Sequence, residues 1–183
     1  MTRLTIYPDD APHAPERTTA DHATAAAWLA EAGVSFERWD AGADLPPGTD
    51  PDTIRAACAG PIAALMARNG FQSMDVIGIA PDTPTAAEMR TRFRAEHTHD
   101  EDEARYFVEG GACFFLHIGR RVYAVACSRG DMLSVPALVP HWLDIGARPH
   151  FTAMRFFTRA DGWVAAYTGS TIADGFPEYY LES

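Results

Sequence analysis

Three histidines and one glutamate in this chain have the residue types and the spacing of a metal centre. His97 and His99 are two positions apart, so on a β-strand both side chains would point to one face, roughly 6.6 Å apart along the backbone. Two imidazoles placed in this way can reach the same ion at about 2.1 Å. Glu103 follows four residues after His99, and a further candidate lies much later in the chain. The predicted ligands are His97, His99, Glu103 and His141.

This ligand set indicates the class of metal and of chemistry. Imidazole nitrogens and a carboxylate, without thiolate, suit iron, nickel, manganese, copper or zinc. Structural zinc sites are closed tetrahedra and usually contain cysteine, so they fit less well. Four protein ligands on an octahedral ion leave two adjacent positions open, and a substrate with two oxygens can occupy them. The pattern therefore favours a catalytic metal of redox-capable type.

An alternative interpretation of the same residues is a solvated acidic turn. The segment from Glu96 to Glu103 holds five carboxylates among eight residues, so a glutamate close to two histidines can arise by chance. The longer spacing to His141 favours the metal site. We expect the carboxylates between the predicted ligands to be solvated or to tune the site from outside, and four other histidines not to be ligands. These residues are Asp100, Glu101 and Asp102, and His13, His22, His117 and His150.

The elements that must position these ligands are predicted from the hydrophobic pattern. From residue 97 onward, short β-branched and aromatic segments alternate with Gly, Pro or charged turns, which indicates an antiparallel sandwich or barrel. The segments are 105–108, 112–118, 121–127, 132–135 and 151–157. The first half favours helices at 19–32, 50–70 and 84–96, with short strands at 34–39 and 75–80. Arg90, Arg92 and Arg94 in the last of these helices are expected to form a solvated face.

Composition excludes several classes of function. The net charge of −10 argues against nucleic acid and against anionic membrane surfaces. No lysine is present, which excludes Schiff-base chemistry, pyridoxal-phosphate catalysis and a P-loop. Three scattered cysteines and an amino terminus without an apolar stretch lead us to expect a cytoplasmic protein. A small-molecule substrate is the partner that remains.

The spacing of the ligands resembles the two motifs of the cupin superfamily. The first is His97-x-His99-x3-Glu103-x6-Gly110, and the second is Gly130-x5-Pro136-x4-His141. The second motif is partial, since Leu138 stands where the family often has Gly and Ile145 where it often has Asn. The resemblance implies a mainly β fold, a cupin barrel (double-stranded β-helix or jelly roll) with flanking N-terminal helices. We expect one domain over 1–183, with a helical and mixed flank at 1–95, a metal-binding core at 96–158 and a C-terminal segment at 159–183.

Longer blocks resemble the acireductone dioxygenase family over nearly the whole chain. They include 36–39, 96–110, 135–146, 155–158 and 162–169. The resemblance implies O2-dependent cleavage of an acireductone, 1,2-dihydroxy-3-oxo-5-(methylthio)pent-1-ene, in methionine salvage. It implies one Fe(II) or Ni(II) per chain, with formate and 2-oxo-4-methylthiobutanoate from Fe(II), or formate, carbon monoxide and 3-methylthiopropanoate from Ni(II). The ligands implied are again His97, His99, Glu103 and His141.

Further residues have expected roles in this chemistry. Arg105 and Arg155 lie on predicted strands and are expected either to offset the charge of the acidic enediol or to form structural ion pairs. Glu96 is expected to be a base or to support His97. Three aromatic residues are expected either to form an apolar wall for the methylthio group or to be plain core side chains: Phe93, Trp142 and Trp163. The alternatives are another cupin enzyme, such as an isomerase or a different dioxygenase, and a non-enzymatic metal-binding cupin. The C-terminal blocks disfavour a generic cupin, and oxygen uptake discriminates against a binding protein.

Overall fold

Strands dominate the computed structural model, which describes residues 2–159 and 164–179, and the mainly β class is confirmed. The strands within these ranges are β1 (Arg3–Pro8), β2 (Arg17–Thr19), β3 (Ser35–Arg38), β4 (Ser73–Ile79), β5 (His97–Thr98), β6 (Glu103–Ile118), β7 (Arg121–Ser128), β8 (Asp131–Val135), β9 (His141–Asp144), β10 (Phe151–Phe157) and β11 (Ala166–Tyr167). The α-helices in the same ranges are α1 (His22–Glu31), α2 (Pro51–Ala57), α3 (Ala59–Asn69) and α4 (Ala86–Arg94), and a 3-10 helix covers Ile172–Gly175.

Two sheets share the long strand β6. One sheet has the order β11-β5-β9-β6-β7-β1-β2, and the other has the order β3-β8-β6-β10-β4; every pair is antiparallel. The first half of β6, to Gly110, pairs with β8 and β10, whereas residues from Gly111 onward pair with β7 and β9. The two segments predicted at 105–108 and 112–118 are therefore one strand that passes from one sheet to the other.

Gly110 makes this crossing possible. Its φ of +63° lies in the left-handed region, and a Cβ at this position would overlap the backbone carbonyl of His150. The register between β6 and β10 also shifts between Thr152 and Ala153, the irregularity of a β-bulge. The change of sheet thus depends on a residue without a side chain.

We predict that Gly110→Ala destabilises the protein by more than about 2 kcal/mol, because the new methyl group meets backbone that cannot rotate away. Gly119→Ala is the matched control. Gly119 has the same φ of +63°, but nothing lies within 4 Å of the position that a Cβ would take there. Urea unfolding of both variants measures the difference, and equal destabilisation would show that only φ strain matters at Gly110.

The helices begin and end at residues with identifiable caps. The Asp21 side chain accepts a hydrogen bond from the Thr24 backbone N–H at the start of α1, and Asp50 accepts from Asp52 and Thr53 at the start of α2. Helix α3 ends at Gly70, which is left-handed. The helix predicted at 50–70 is divided at Cys58 into α2 and α3, and Pro61 is tolerated because it lies within the first turn of α3.

Three apolar clusters divide the molecule into layers. The largest joins the two sheets and α1, and includes Leu29, Phe107 and Phe114. A second packs the outer face of the β10 sheet against α2 and α3. A third lies between the outer face of β6, β7 and β9 and the C-terminal segment around Phe176. The amino-terminal half contributes β1, β2, β3 and β4 to the sheets, so it forms part of the β structure as well as a helical flank.

None of the helices in the described ranges is both long and apolar enough to cross a membrane.

Candidate metal centre

His97, His99 and His141 meet in one buried group. One ring nitrogen from each lies within 4.8 Å of the others. Strand pairing brings them together, since His97 lies directly opposite His141 across β5 and β9. The ring centroids of His97 and His141 are 4.5 Å apart, and those of His99 and His141 are 5.5 Å apart. The long sequence separation between the two motifs is thus closed by one pair of strands.

Each of the three imidazoles is oriented by a hydrogen bond to a backbone carbonyl. Nδ1 of His97 lies 2.7 Å from the Ala95 carbonyl, Nδ1 of His141 lies 2.8 Å from the Val139 carbonyl, and Nδ1 of His99 lies 2.9 Å from the Val164 carbonyl. A carbonyl can only accept, so this hydrogen bonding assigns the proton to Nδ1. Each Nε2 then carries a lone pair, which is the arrangement that metal-binding histidines require.

Burial favours the neutral form of two of these rings, His97 and His141. It lowers the pKa of His97, and it lowers that of His141 to about 4. Nε2 of His141 is buried and has no hydrogen-bond partner among the residues that the structure describes. A buried nitrogen with a free lone pair is costly unless it binds something. The histidine group therefore fits a metal ion, and this is a metal-binding site.

Glu103 lies beside the histidines and is paired with Arg105. One carboxylate oxygen is 3.3 Å from Nε2 of His99 and 3.8 Å from Nε2 of His141. The other accepts a hydrogen bond of 2.6 Å from Nη2 of Arg105. Burial opposes ionisation of Glu103, but the positive charge of Arg105, with a smaller contribution from Arg155, outweighs it and lowers the pKa to about 2. The carboxylate is therefore charged at neutral pH and available as a hard oxygen donor.

Arg105 has unused hydrogen-bonding capacity in this site. It is 5% exposed, and its Nε and Nη1 have no hydrogen-bond partner within 2–159 and 164–179. Its guanidinium carbon lies 5.0 Å from the centroid of Phe114. A guanidinium has five N–H donors, and leaving several unpaired in the interior is unfavourable. The site thus offers fixed donors to an anionic group that enters it.

Arg155 lies directly across from Arg105 on β10. Its Nε donates to Asp75 Oδ1 at 2.8 Å, and its Nη2 donates to the other oxygen, so the two side chains form a bidentate ion pair. Asp75 is the residue opposite Arg155 on β4. Arg105 and Arg155 are therefore neighbours across the sheet. Arg105 is paired with Glu103, and Arg155 is paired with Asp75.

A cavity of about 250 Å³ opens onto the metal centre. It is lined by Ile77, Met89, Arg92, Phe93, His97, His99, Glu103, Arg105, Phe114, His141, Leu143, Arg155, Ala165 and Tyr167. Phe93 is thus placed on the wall as expected from the sequence. The other apolar side chains of the wall come from β4, α4, β6 and β9. The arrangement can hold a small molecule with a polar end at the metal and an apolar end against these walls.

Two of the expected site residues lie elsewhere, and a third cannot be placed. Trp142 does not line the cavity: it stacks on Phe115 at 5.0 Å in the outer apolar cluster, because neighbouring residues on a strand face opposite sides and His141 faces inward. Glu96 also points away from the cavity. Its carboxylate accepts hydrogen bonds from His117 Nδ1 at 3.0 Å and Thr168 Oγ1 at 2.7 Å. Trp163 lies outside the described residues.

Glu96 nevertheless supports the metal centre from outside. Its backbone carbonyl accepts from the Thr168 N–H at 3.1 Å, and its side chain accepts from the Thr168 hydroxyl. These bonds attach residues 164–168, which pair with β5, to the edge of the site. That segment supplies the Val164 carbonyl that orients His99 and the Tyr167 ring that contacts His97. Glu96 is thus a structural anchor.

Two expectations of solvent exposure are wrong. Glu101 is 5% exposed and accepts hydrogen bonds from the Thr158 hydroxyl and the Arg159 N–H, which attach the motif loop to the end of β10. Arg90 and Arg94 pair with the buried Asp144 and with Glu178. These two arginines are one helical turn apart, so they share a face of α4 that packs on β9. Asp100 and Asp102 are exposed, as expected.

Several residues of the cavity wall were not expected from the sequence. The place of Leu143 on the wall could have been predicted, because Leu143 lies two positions after His141 on the same strand face. Met89 is similarly one helical turn before Phe93. Phe114, Ile77 and Tyr167 have no comparable local signal, since only the pairing of distant strands brings them to the site.

A second cavity of about 250 Å³ lies on the outer face of β1, β6 and β7. Its lining includes Tyr7, Cys113, Phe115 and Tyr179. Burial raises the pKa of the Cys113 thiol well above its usual range, so the thiol stays protonated. The histidine group described above lines the other cavity, and that cavity is therefore the candidate active site.

Comparisons with known proteins agree with this geometry. A model of the ARD/ARD' family matches residues 4–165. The chain is 48% identical over 182 residues to an acireductone dioxygenase of Parvibaculum lavamentivorans, covering 100% of this chain and 99% of the relative. It is 50% identical over 184 residues to one of Methylococcus capsulatus, covering 100% and 98%. A solved acireductone dioxygenase of Bacillus anthracis, with a cadmium ion in its active center, superimposes with a TM-score of 0.78 at 28% identity, covering 91% of this chain and 98% of that one.

Proposed function

Because this chain belongs to the ARD/ARD' family of acireductone dioxygenases, we propose that it cleaves 1,2-dihydroxy-3-oxo-5-(methylthio)pent-1-ene with O2 in methionine salvage, in the cytoplasm. The observation that carries the proposal is the buried histidine group beside an arginine with unused donors, at the end of a cavity. Family membership makes the chain an oxidoreductase. The metal, the substrate and the products are the proposed part.

The proposed ligands are Nε2 of His97, His99 and His141, with the carboxylate of Glu103 as the fourth. Support for Glu103 comes from its distances of 3.3 and 3.8 Å to two of these nitrogens and from its charged state at neutral pH. The donor set suits Fe(II) or Ni(II), one per chain. The cadmium ion of the Bacillus anthracis relative supports a divalent metal. When bound, the metal supplies Lewis acidity for substrate oxygens and a centre at which O2 can react.

The charges around the cavity suit an anionic substrate. An enediol next to a ketone loses a proton readily, and the arriving anion must leave water. Arg105 can donate from Nε and Nη1 to an enolate oxygen without giving up its bond to Glu103. Arg155 also lines the cavity, but its guanidinium is held in an ion pair with Asp75. Glu103 and Asp75 balance the positive charges of Arg105 and Arg155. The two positive charges of a bound divalent metal ion would therefore remain, and an anionic substrate can neutralise them.

The apolar lining suits the methylthio end of the substrate. Phe93 and Met89 come from α4, and Phe114 and Leu143 come from the sheet. These side chains exclude water from the cavity, which strengthens the polar interactions within it. The substrate is thereby oriented, with its oxygens toward the histidines and its thioether against the wall.

We predict that the bound metal decides the products. The ligand types accept either Fe(II) or Ni(II), so the same residues can hold both ions. The expected products are formate and 2-oxo-4-methylthiobutanoate with Fe(II), and formate, carbon monoxide and 3-methylthiopropanoate with Ni(II). The experiment strips the metal, reloads the apoprotein separately with each ion, supplies acireductone and O2, and assays carbon monoxide and both acids.

The outcomes of this experiment separate the two parts of the proposal. Identical products from both metals would contradict metal-controlled product choice but leave the dioxygenase reaction standing. No oxygen uptake with either ion would contradict the dioxygenase reaction itself and favour a metal-binding protein without turnover. Apoprotein given Mg²⁺ is the control, since the site's nitrogen ligands do not suit that ion.

A further inference from the structure

We propose that Arg92 determines how efficiently this enzyme captures its substrate, by attracting an anionic enediol into the cavity. The inference rests on the proposed function and extends it to a residue outside the ligand set. Arg92 lines the cavity of the metal centre but is exposed to solvent. Of the described residues that form the lining, only Arg92 and Tyr167 are exposed, so they mark the opening.

The position of Arg92 on α4 distinguishes it from the neighbouring arginines. Arg90 and Arg94 are one turn apart and are committed to Asp144 and Glu178. Arg92 lies on another face, three residues after Met89 and next to Phe93, and both of these side chains line the cavity. Arg92 forms no ion pair or hydrogen bond with any residue in 2–159 or 164–179. Its charge is therefore available at the opening.

The charge of the whole protein makes a local cation useful. The chain carries a net charge of −10, so its average field repels an anion. Inside the cavity, Arg105 and Arg155 are each neutralised by a carboxylate. Arg92 has no such partner among the described residues, so its field is the one that extends into solvent at the opening. Clefts whose rim carries the charge opposite to the substrate raise the local substrate concentration and the rate of association.

Charge reversal at this position tests the inference. Arg92→Glu should lower kcat/KM for the acireductone by about five- to tenfold at low ionic strength, with kcat within about twofold of wild type. The deficit should shrink as salt is added above about 0.1 M, where the Debye length falls to about 10 Å. Arg92→Lys keeps the charge and should stay within about twofold of wild type. Metal content, measured in parallel, should not change in either variant.

Arg148→Glu is the matched control, because it changes net charge by the same amount at an exposed arginine that does not line the cavity. Equal loss of kcat/KM in Arg148→Glu and Arg92→Glu would overturn the inference, as would a loss confined to kcat. The dissociation constant of the acireductone, measured without O2 on Ni(II)-loaded protein, separates this inference from the proposed function. If wild type binds the acireductone but consumes no O2, the proposed function fails, and a weaker affinity of Arg92→Glu still supports Arg92. Unchanged affinity together with unchanged kcat/KM would contradict the role of Arg92.

Discussion

His141→Ala should lose most of its bound metal, and its oxygen uptake should fall to the background rate. The variant removes a buried Nε2 that has no hydrogen-bond partner among the described residues and that lies in one group with ring nitrogens of His97 and His99. Groups that merely orient a ligand typically contribute about 10–100-fold to metal affinity, so loss of a ligand itself should cost at least about a hundredfold. Elemental analysis after dialysis measures metal per chain, and an oxygen electrode measures turnover.

His150→Ala is the control for this variant. His150 is an exposed histidine that pairs with Glu109 at 2.9 Å and does not line the cavity. It should retain the metal content and the turnover of wild type. Near-normal metal in His141→Ala would remove that residue from the ligand set, whatever happened to activity.

Arg105→Met should lower kcat/KM by about a hundredfold or more, with metal content near that of wild type. Arg105 donates from Nη2 to one oxygen of Glu103, and its Nε and Nη1 have no acceptor within the described part of the chain. The proposed bond between Arg105 and the anionic substrate is a buried, hydrogen-bonded charge pair, and removing one partner of such a pair costs about 2–5 kcal/mol. At about 1.4 kcal/mol for each factor of ten, about 2.7 kcal/mol corresponds to a hundredfold loss. Steady-state oxygen uptake with varied acireductone gives the comparison.

Two further variants distinguish a role in substrate binding from a structural one. Arg105→Lys keeps a positive charge but loses the planar fork, so its kcat/KM should lie between those of wild type and Arg105→Met. Arg121→Met removes an exposed arginine that pairs with Glu16, and it should leave kinetics unchanged. If Arg105→Met kept kcat/KM within about threefold of wild type, Arg105 would have no part in recognising the substrate. Loss of metal in Arg105→Met would instead indicate that the residue only holds Glu103.

The ligand motif could be predicted because its information is local. His97 and His99 are close in sequence, and the structure brings both to one site. Most strands and helices were also predictable, since they depend on the alternation of apolar side chains over a few residues. Five strands were missed, β1, β2, β5, β9 and β11. A strand of two residues, such as β5 or β11, has no period of its own and exists only through its partners.

The place of Phe114 on the cavity wall could not be predicted because the inward face of β6 changes along the strand. Phe107 faces the core between the sheets at an odd position, whereas Phe114 and Leu116 face it at even positions. The bulge and the crossing at Gly110 lie between them. A strict period of two carried through from Glu103 would have pointed Phe114 away from the site. Trp142 packs in the outer apolar cluster, which is the core alternative expected for it, because it is next to the inward-facing His141 on the same strand.

The roles of charged residues depended on partners far away in the chain. Glu96 and Glu101 are in the same acidic run, yet Glu96 is held by His117 and Thr168, and Glu101 by residues at the end of β10. A charge pattern predicts that such residues are solvated, because that is their lowest-energy state when no partner is known. Burial of a carboxylate requires donors, and the sequence does not say which distant donors will arrive.

The types of ligand follow from the sequence alone: nitrogen and oxygen donors at defined spacing, no lysine, and strands able to present them. The tertiary structure decided which groups are free to act. In the folded protein Arg155 pairs with Asp75, and Arg90 pairs with Asp144. Two N–H groups of Arg105, beside the histidines, have no acceptor among the described residues. The physical reason is that ligand type and strand face follow from short-range geometry, whereas the free energy of a charged side chain is set by neighbours that only the pairing of distant strands supplies.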